Sequence, residues 1–344
     1  MKTKILIVTT LFFIMGGLFS SAATLIVSSY FPKPEGVYTT IQAAYNAASP
    51  GDTIIITPAE GEYAGITIAK EIHIIGNGWS RLSESVPNTK TSGFTFNAGA
   101  EGSSITGLEV NGMFDINTDN ITVKRNKLYY IYVQANCTNV VIIQNFISSD
   151  RFCCSWWETS IISIWENTEV YISNNIIINT RTGSYGQYGI YTSYPTNVIV
   201  CNNVFNTEDG AIIISMSGGN YCPHRVFNNI IKWGGGTSGV AASYDENNHN
   251  MGNSTQFGTI NNNQQNVDMN TVFVDATNHD YHLKEGSPAI GAGLDGTDCG
   301  IYGGAYPFVD NGRTWLPTIT EVSVPAIVNI NDGIDVSVKA KSGK

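Results

Sequence analysis

Val170-Tyr171-Ile172-Ser173-Asn174-Asn175-Ile176-Ile177 and Val198-Ile199-Val200-Cys201-Asn202-Asn203-Val204-Phe205 are two copies of one pattern. Apolar residues alternate, run into asparagine, and resume as a second apolar pair. Ile121 to Leu128 and Val140 to Ile147 repeat it, a weaker copy ends at Asn229-Ile230-Ile231, and Ile105 to Val110 reads as an earlier one. The asparagines at 126, 145, 175, 203 and 229 stand 19, 30, 28 and 26 residues apart. Period-two alternation is the signature of a strand, and a recurring unit of this size is the signature of a solenoid.

A further apolar stretch precedes each copy: Phe114 to Ile116, Ile131 to Gln134, Ile162 to Trp165, Ile190 to Ser193 and Ala211 to Ile214. A short third strand follows each asparagine. The expected fold is therefore all-β, a right-handed parallel β-helix with three sides. A minimal coil needs roughly twenty residues, so the longer intervals leave as loops at fixed corners. The repeated asparagine suits a tight corner. It tolerates left-handed φ, and its amide reaches the asparagine one coil away.

The ends fit the same plan. Thr40 caps a short amphipathic helix within Tyr38 to Ala48, placed to cover the first coil, and Pro50-Gly51-Asp52 turns into the strand Thr53 to Thr57. Ile319 to Pro325 and Ile334 to Lys339 alternate as two strands of a C-terminal tail, a pair docked on the helix end or a truncated sandwich module. The expected boundaries are a leader over 1–23, the β-helix over 24–312 and the tail over 313–344.

The leader reading rests on Lys2 and Lys4, the apolar run Ile5 to Phe19, and the small residues Ser21-Ala22-Ala23 before a cleavage point. It implies export, to the medium, the cell surface or the periplasm, with no membrane span in the mature chain. The net charge of −10 argues against nucleic acid as a partner. The expected state is a monomer. Charged residues make up only 13 % of the chain, so Asn, Ser, Thr and Tyr supply the polarity, as in stacked β architectures. Six cysteines, at 137, 153, 154, 201, 222 and 299, leave both disulfides and buried thiols open.

The stretch Tyr38 to Tyr63 resembles the opening of many secreted proteins of the pectin-lyase-like superfamily. Asp280 to Gly293, with Gly300 to Gly304, resembles the end of the helix in many bacterial members. The resemblance covers roughly residues 24 to 312 and implies the parallel β-helix. It does not imply one activity, because the superfamily holds lyases, hydrolases, epimerases and proteins of no known activity. Asn117-Thr118-Asp119 matches one motif of polygalacturonase-like hydrolases, but their Asp-Asp, Gly-His-Gly and Arg-Ile-Lys motifs are absent, as are the Arg-rich motifs of pectate lyases.

The superfamily places substrate along the first strand face. If Phe114, Ile131, Ile162, Ile190 and Ala211 point inward, Asp115, Tyr132, Ser163, Tyr191 and Ile212 point outward, with Asn117, Gln134, Trp165, Ser193 and Ile214 beside them. Asp115, Tyr132, Gln134, Trp165 and Tyr191 are the expected substrate-binding residues, since aromatic rings receive sugar rings and the polar groups bond hydroxyls. The insertions Asp150 to Glu158 and Arg181 to Tyr188 are expected to wall this groove. For β-elimination on a uronate, Arg151 or Arg181 supplies the cation and Tyr185 or Tyr188 the base, with Glu158 as a further catalytic candidate. Lys124 and Arg125 sit on the second strand, away from the groove. For hydrolysis, Asp115, Glu158, Glu166 and Asp209 are the available carboxyls, with no evident pair. Asp150, Glu158 and Asp209 are the candidates for Ca2+, without EF-hand spacing. His224 and His249 are read as surface loop residues. The sequence thus points to an exported polysaccharide-binding protein, a lyase-type enzyme on uronate glycan, with a non-catalytic adhesin as the rival. A flat-faced ice or mineral binder ranks last, because the outward row is mixed.

Overall fold

Ile54, Ile74, Ile105, Val123, Ile142, Ile172, Val200 and Val226 are fully buried, or nearly so, and line up across successive parallel strands as one inward column. Each strand alternates, so its neighbours in the chain face out. A single coil cannot bury its own apolar row, but stacking buries a continuous one. The protein, seen in a computed structural model, is described over residues 22–30, 34–79, 88–149, 160–179, 188–193, 196–207, 212–216, 225–233, 247–323 and 336–341. The expected leader lies outside this range except for Ala22 and Ala23, and the first strand is Thr24–Val27.

Among the described residues, the strands form an 11-stranded and a 13-stranded sheet, parallel throughout. The fold is a parallel β-helix. The larger sheet divides into two rows of pairing, because Glu109–Ile116 and Lys127–Val133 bend across a corner. Lys127 and Leu128 pair with Phe146 and Ile147, whereas Ile131 to Val133 pair with Ile162 to Ile164. The first row buries Phe94, Phe114, Ile131, Ile162 and Ile190; the row after the asparagines buries Val110, Leu128, Ile147, Ile177, Phe205 and Ile231. Helix Ile41–Ala47 lays Ile41 and Ala44 against the first coil, and Thr40 accepts a hydrogen bond from the Ala43 N–H at 3.1 Å.

The asparagine corner is a continuous ladder. Asn145 donates its backbone N–H (2.9 Å) and its Nδ2 (3.0 Å) to Oδ1 of Asn175. Asn175 does the same to Asn203, Asn203 to Asn229, Asn229 to Asn250, and Asn250 to Asn263. All are buried. Each amide also reaches strand carbonyls, as Asn175 does to Ile142 and Ser173. Asn250 and Asn263 extend the ladder beyond the sequence repeat. The left-handed residue is not the ladder asparagine but the one before it: Arg125, Gln144, Asn174, Asn202, Asn228 and His249, with φ between 52° and 58°. A one-residue offset separates the two jobs, since a side chain that turns inward to bond along the stack sits on ordinary backbone. His249 is the left-handed residue of the short connection between Asn247–Asn248 and Met251–Gly252, half-buried and hydrogen-bonded to Asn248 and Asn262.

The left-handed column has its own partner. Residues 294–314 run back along the helix. Asn228 accepts from the Leu294 N–H, Asn202 donates to the carbonyls of Asp298 and Gly300, and Asn174 to those of Ile301 and Gly303. Gln144 donates to Tyr306 and Pro307, Arg125 to Arg313, and Thr314 to Gly76. This return segment, with the hairpin Phe273–Asp275 and Asp280–Leu283, covers the outer sides of Phe146, Ile176, Val204 and Ile230 and makes a second apolar core with Trp79, Cys299, Ile301 and Phe308. Burial of each such side chain contributes roughly 1.5–3 kcal/mol. The stretch resembling the end of a helix is thus a hairpin and a strap. Strands Thr318–Ser323 and Ser337–Lys341 pair antiparallel, and their described side chains are exposed.

Cys137, Cys201 and Cys299 are buried thiols. Cys153, Cys154 and Cys222 lie outside the described residues, and no described helix is long and apolar enough to cross a membrane.

Candidate functional site

The first row of strands fixes the direction of each candidate. Thr95, Asp115, Tyr132, Ser163 and Tyr191 are aligned across neighbouring coils, with the inward residues fully buried between them. Coils stack about 4.8 Å apart. Beside this column stand Asn97, Asn117, Gln134, Trp165 and Ser193, as the backbone hydrogen bonds Asn117 to Phe96, Gln134 to Ile116, Trp165 to Val133 and Ser193 to Ile164 show. The backbone register expected from alternation holds over these coils.

Its last coil is displaced. Ile214, not Ala211, lies opposite Ile190, so Ser215 takes the position expected for Ile212, and Ile212 pairs with Tyr188. The continuous apolar run Ile212-Ile213-Ile214 carries no alternation to set its register.

The substrate-binding candidates divide by exposure. Asp115, Tyr132, Gln134 and Trp165 are half-buried. Gln134 donates to the Asp115 carboxylate at 2.7 Å, tying two of them into one polar patch, and Tyr130 meets Tyr132 edge-on at 5.5 Å between ring centroids. Trp165 follows Gln134 by one coil. Ser163 is fully buried, and Tyr191 is only 6 % exposed. Alternation sets the direction of a side chain, but it does not say whether other chain lies over it. Tyr191 is therefore removed from the solvent-exposed set.

Of the catalytic candidates, Arg151, Glu158, Arg181 and Tyr185 lie outside the described residues. Tyr188 belongs not to a loop but to the strand Tyr188–Thr192, paired with Ser160. Lys124 stands on the other sheet, opposite Ile143 and Thr106, and Arg125 at the left-handed corner that follows it. The described part of the first face carries the acids Asp115 and Glu166 and no Lys or Arg. Among the described residues, no group of three or more His, Cys, Asp or Glu could hold a metal ion; Asp150, Glu158 and Asp209 fall outside them.

No family model matches the chain, and no curated protein does. Among solved structures it is similar to the crystal structure of pectate lyase Pel9A, at 14% identity and a TM-score of 0.37, over 83% of this chain and 97% of that one. A likeness that distant carries no weight for function.

The turns after the first row hold polar stacks the sequence reading passed over. Asn139 donates to Asn120 at 2.7 Å, Asn167 to Asn136 at 3.1 Å, and Thr138 bonds Asp119. The recurrence of Asn at these turns was the available signal.

Proposed function

We propose that this chain is an exported polysaccharide-binding protein that receives a glycan along the first strand face. One observation carries the reading. The half-exposed rings of Tyr132 and Trp165 stand on one parallel face, with the hydrogen-bonded pair Asp115–Gln134 beside them. Rigid strands hold these groups at a fixed spacing, so the surface meets a sugar chain with little ordering to do on binding.

Chemistry on a uronate glycan is the finer reading. Its cation comes from Arg151 or Arg181 and its base from Tyr185 or Tyr188, with Glu158 close by in sequence, since the described face offers acids alone. The test is titration of the purified chain with neutral and uronate polysaccharides, read by calorimetry and by the absorbance of unsaturated chain ends. Binding supports the reading, and unsaturated ends add lyase activity to it. A chain that binds no polysaccharide in the panel overturns it.

A further inference from the structure

Four ionisable side chains meet where the hairpin Phe273–Asp275 and Asp280–Leu283 lies on the return segment. In its second strand Tyr281 turns inward and packs edge-on against Phe273, 5.2 Å between ring centroids, so alternation sends Asp280 and His282 outward. Nδ1 of His282 lies 2.6 Å from Oδ1 of Asp280, and that same oxygen accepts the His282 backbone N–H at 3.1 Å. Nε2, across the ring, lies 3.4 Å from Oδ2 of Asp310 on the return segment. Oδ1 of Asp310 accepts the Tyr302 hydroxyl at 2.9 Å. The Tyr302 ring stacks on the imidazole, 4.3 Å between centroids and 19° from parallel, with its hydroxyl 3.4 Å from Nδ1.

A neutral imidazole carries one N–H, so it serves one carboxylate and turns a lone pair on the other. Imidazolium presents a donor to each, and its charge also meets the face of the Tyr302 ring. Among the described residues, Asp280, Asp310 and Tyr302 are the titratable groups that face His282. Lys284, next on the same side of the strand, sends its Nζ to the Asn270 carbonyl at 2.7 Å. Asp310 in turn governs its neighbours. It stands in the short turn between buried Phe308, whose N–H donates to the Ile301 carbonyl at 2.8 Å, and Asn311, whose carbonyl accepts the Trp79 N–H at 2.8 Å. Holding Asp310 therefore holds the cover over Trp79.

We propose that Asp280, His282, Tyr302 and Asp310 form a proton-operated latch that fastens the return segment to the hairpin. With His282 protonated, the imidazolium bridges the two carboxylates. As pH rises past the range in which imidazole titrates, one ring proton leaves to solvent and one carboxylate faces a lone pair. The Asp310 end of the segment then loosens from Trp79. The fastening is thus present at low pH and lost on passing upward through neutrality.

The test is native-state hydrogen exchange of the full chain, read by NMR at the Phe308 and Trp79 amides at about pH 6 and about pH 8, each corrected for the exchange rate of unfolded peptide at that pH. Protection is expected to fall about three- to fivefold between the two, the scale of a partly exposed ion pair. His282→Gln should show equal protection at both pH values. Asp310→Asn, which leaves His282 with Asp280 alone, should flatten the fall as well. Both positions are partly exposed, and the readout is the difference between two pH values, so a general loss of stability does not imitate it. His73→Gln, at a histidine of an early coil that bonds Ser104 at 2.9 Å, should keep the parent's fall. The proposal is overturned if protection in the parent does not fall, if the fall survives His282→Gln or Asp310→Asn, or if His73→Gln abolishes it.

Discussion

The side-chain amide of Asn174 donates to the carbonyl oxygen of Gly303 at 2.7 Å, across 129 residues of chain. It sits on the left-handed corner of one coil, and Gly303 on the segment that retraces the coils toward the first. Such bonds recur down the column, so the return segment is fastened turn by turn.

The close approach depends on glycine. A Cβ at Gly303 would lie 1.9 Å from the Asp298 carbonyl oxygen and 2.9 Å from Nδ2 of Asn202. Gly303→Ala should therefore lift this part of the segment and cost about 1–3 kcal/mol. Gly61→Ala, where nothing lies within 4 Å, serves as the comparison. Equal denaturant midpoints for the two variants would contradict the fastening described.

Asn175 is a rung of the ladder. Replacing it by Ala strands the Asn145 donors and the carbonyls of Ile142 and Ser173 in a buried layer. The expected loss is roughly 3–5 kcal/mol, several unsatisfied buried groups at once. Asn175→Asp keeps an acceptor toward Asn145 but loses the donors and faces Oδ1 of Asn203 with a carboxylate, so it should also destabilise. Asn117→Ala, at an exposed side-chain bond to Asn97, should stay within about 0.5 kcal/mol. Thermal melts of the three variants give the ranking.

Binding and stability should separate along the first face. Trp165→Ala and Tyr132→Ala are expected to weaken glycan binding by about tenfold each, with small changes in melting temperature. Tyr191→Ala, at a buried position, should instead destabilise the chain by about 3 kcal/mol or more. An exposed-site profile for Tyr191, with binding lost and stability kept, would reverse its assignment.

The buried thiols predict a response to alkali. Burial pushes Cys137 up to about 11, helped by Asp119 and Asp115, and Cys299 up to about 12, helped by Asp298, from the ordinary 9.0. A thiol raised in the folded state stabilises fully below its unfolded value, and that contribution fades as pH rises from about 9 through 11 and 12. Folding stability should fall over that window, and Cys137→Ser with Cys299→Ser should flatten the fall. At pH 8 these thiols should resist iodoacetamide until the chain is denatured, as mass spectrometry of the native and unfolded protein can show.

Much of this was legible in the chain. The inward columns Phe114–Ile131–Ile162–Ile190 and the rungs Asn126 to Asn229 follow from alternation and recurrence, which are local and periodic. Where local pattern runs out, the reading slips. The unbroken Ile212-Ile213-Ile214 left register open, and the structure moved it by three residues. The burial of Tyr191 and the partners of Gln144 and Asn174 belong to contacts between distant segments.

Composition and period alone determined that successive coils would stack in parallel, because side chains alternating every second residue can bury an apolar row only against identical rows above and below. Only the tertiary structure decided where the glycine-rich end of the chain lies and which outward residues meet water. Its reason is steric: a segment without side chains at Gly303 and Gly312 can press against the corner carbonyls and Trp79, and no repeat in the sequence marks the groove it fills.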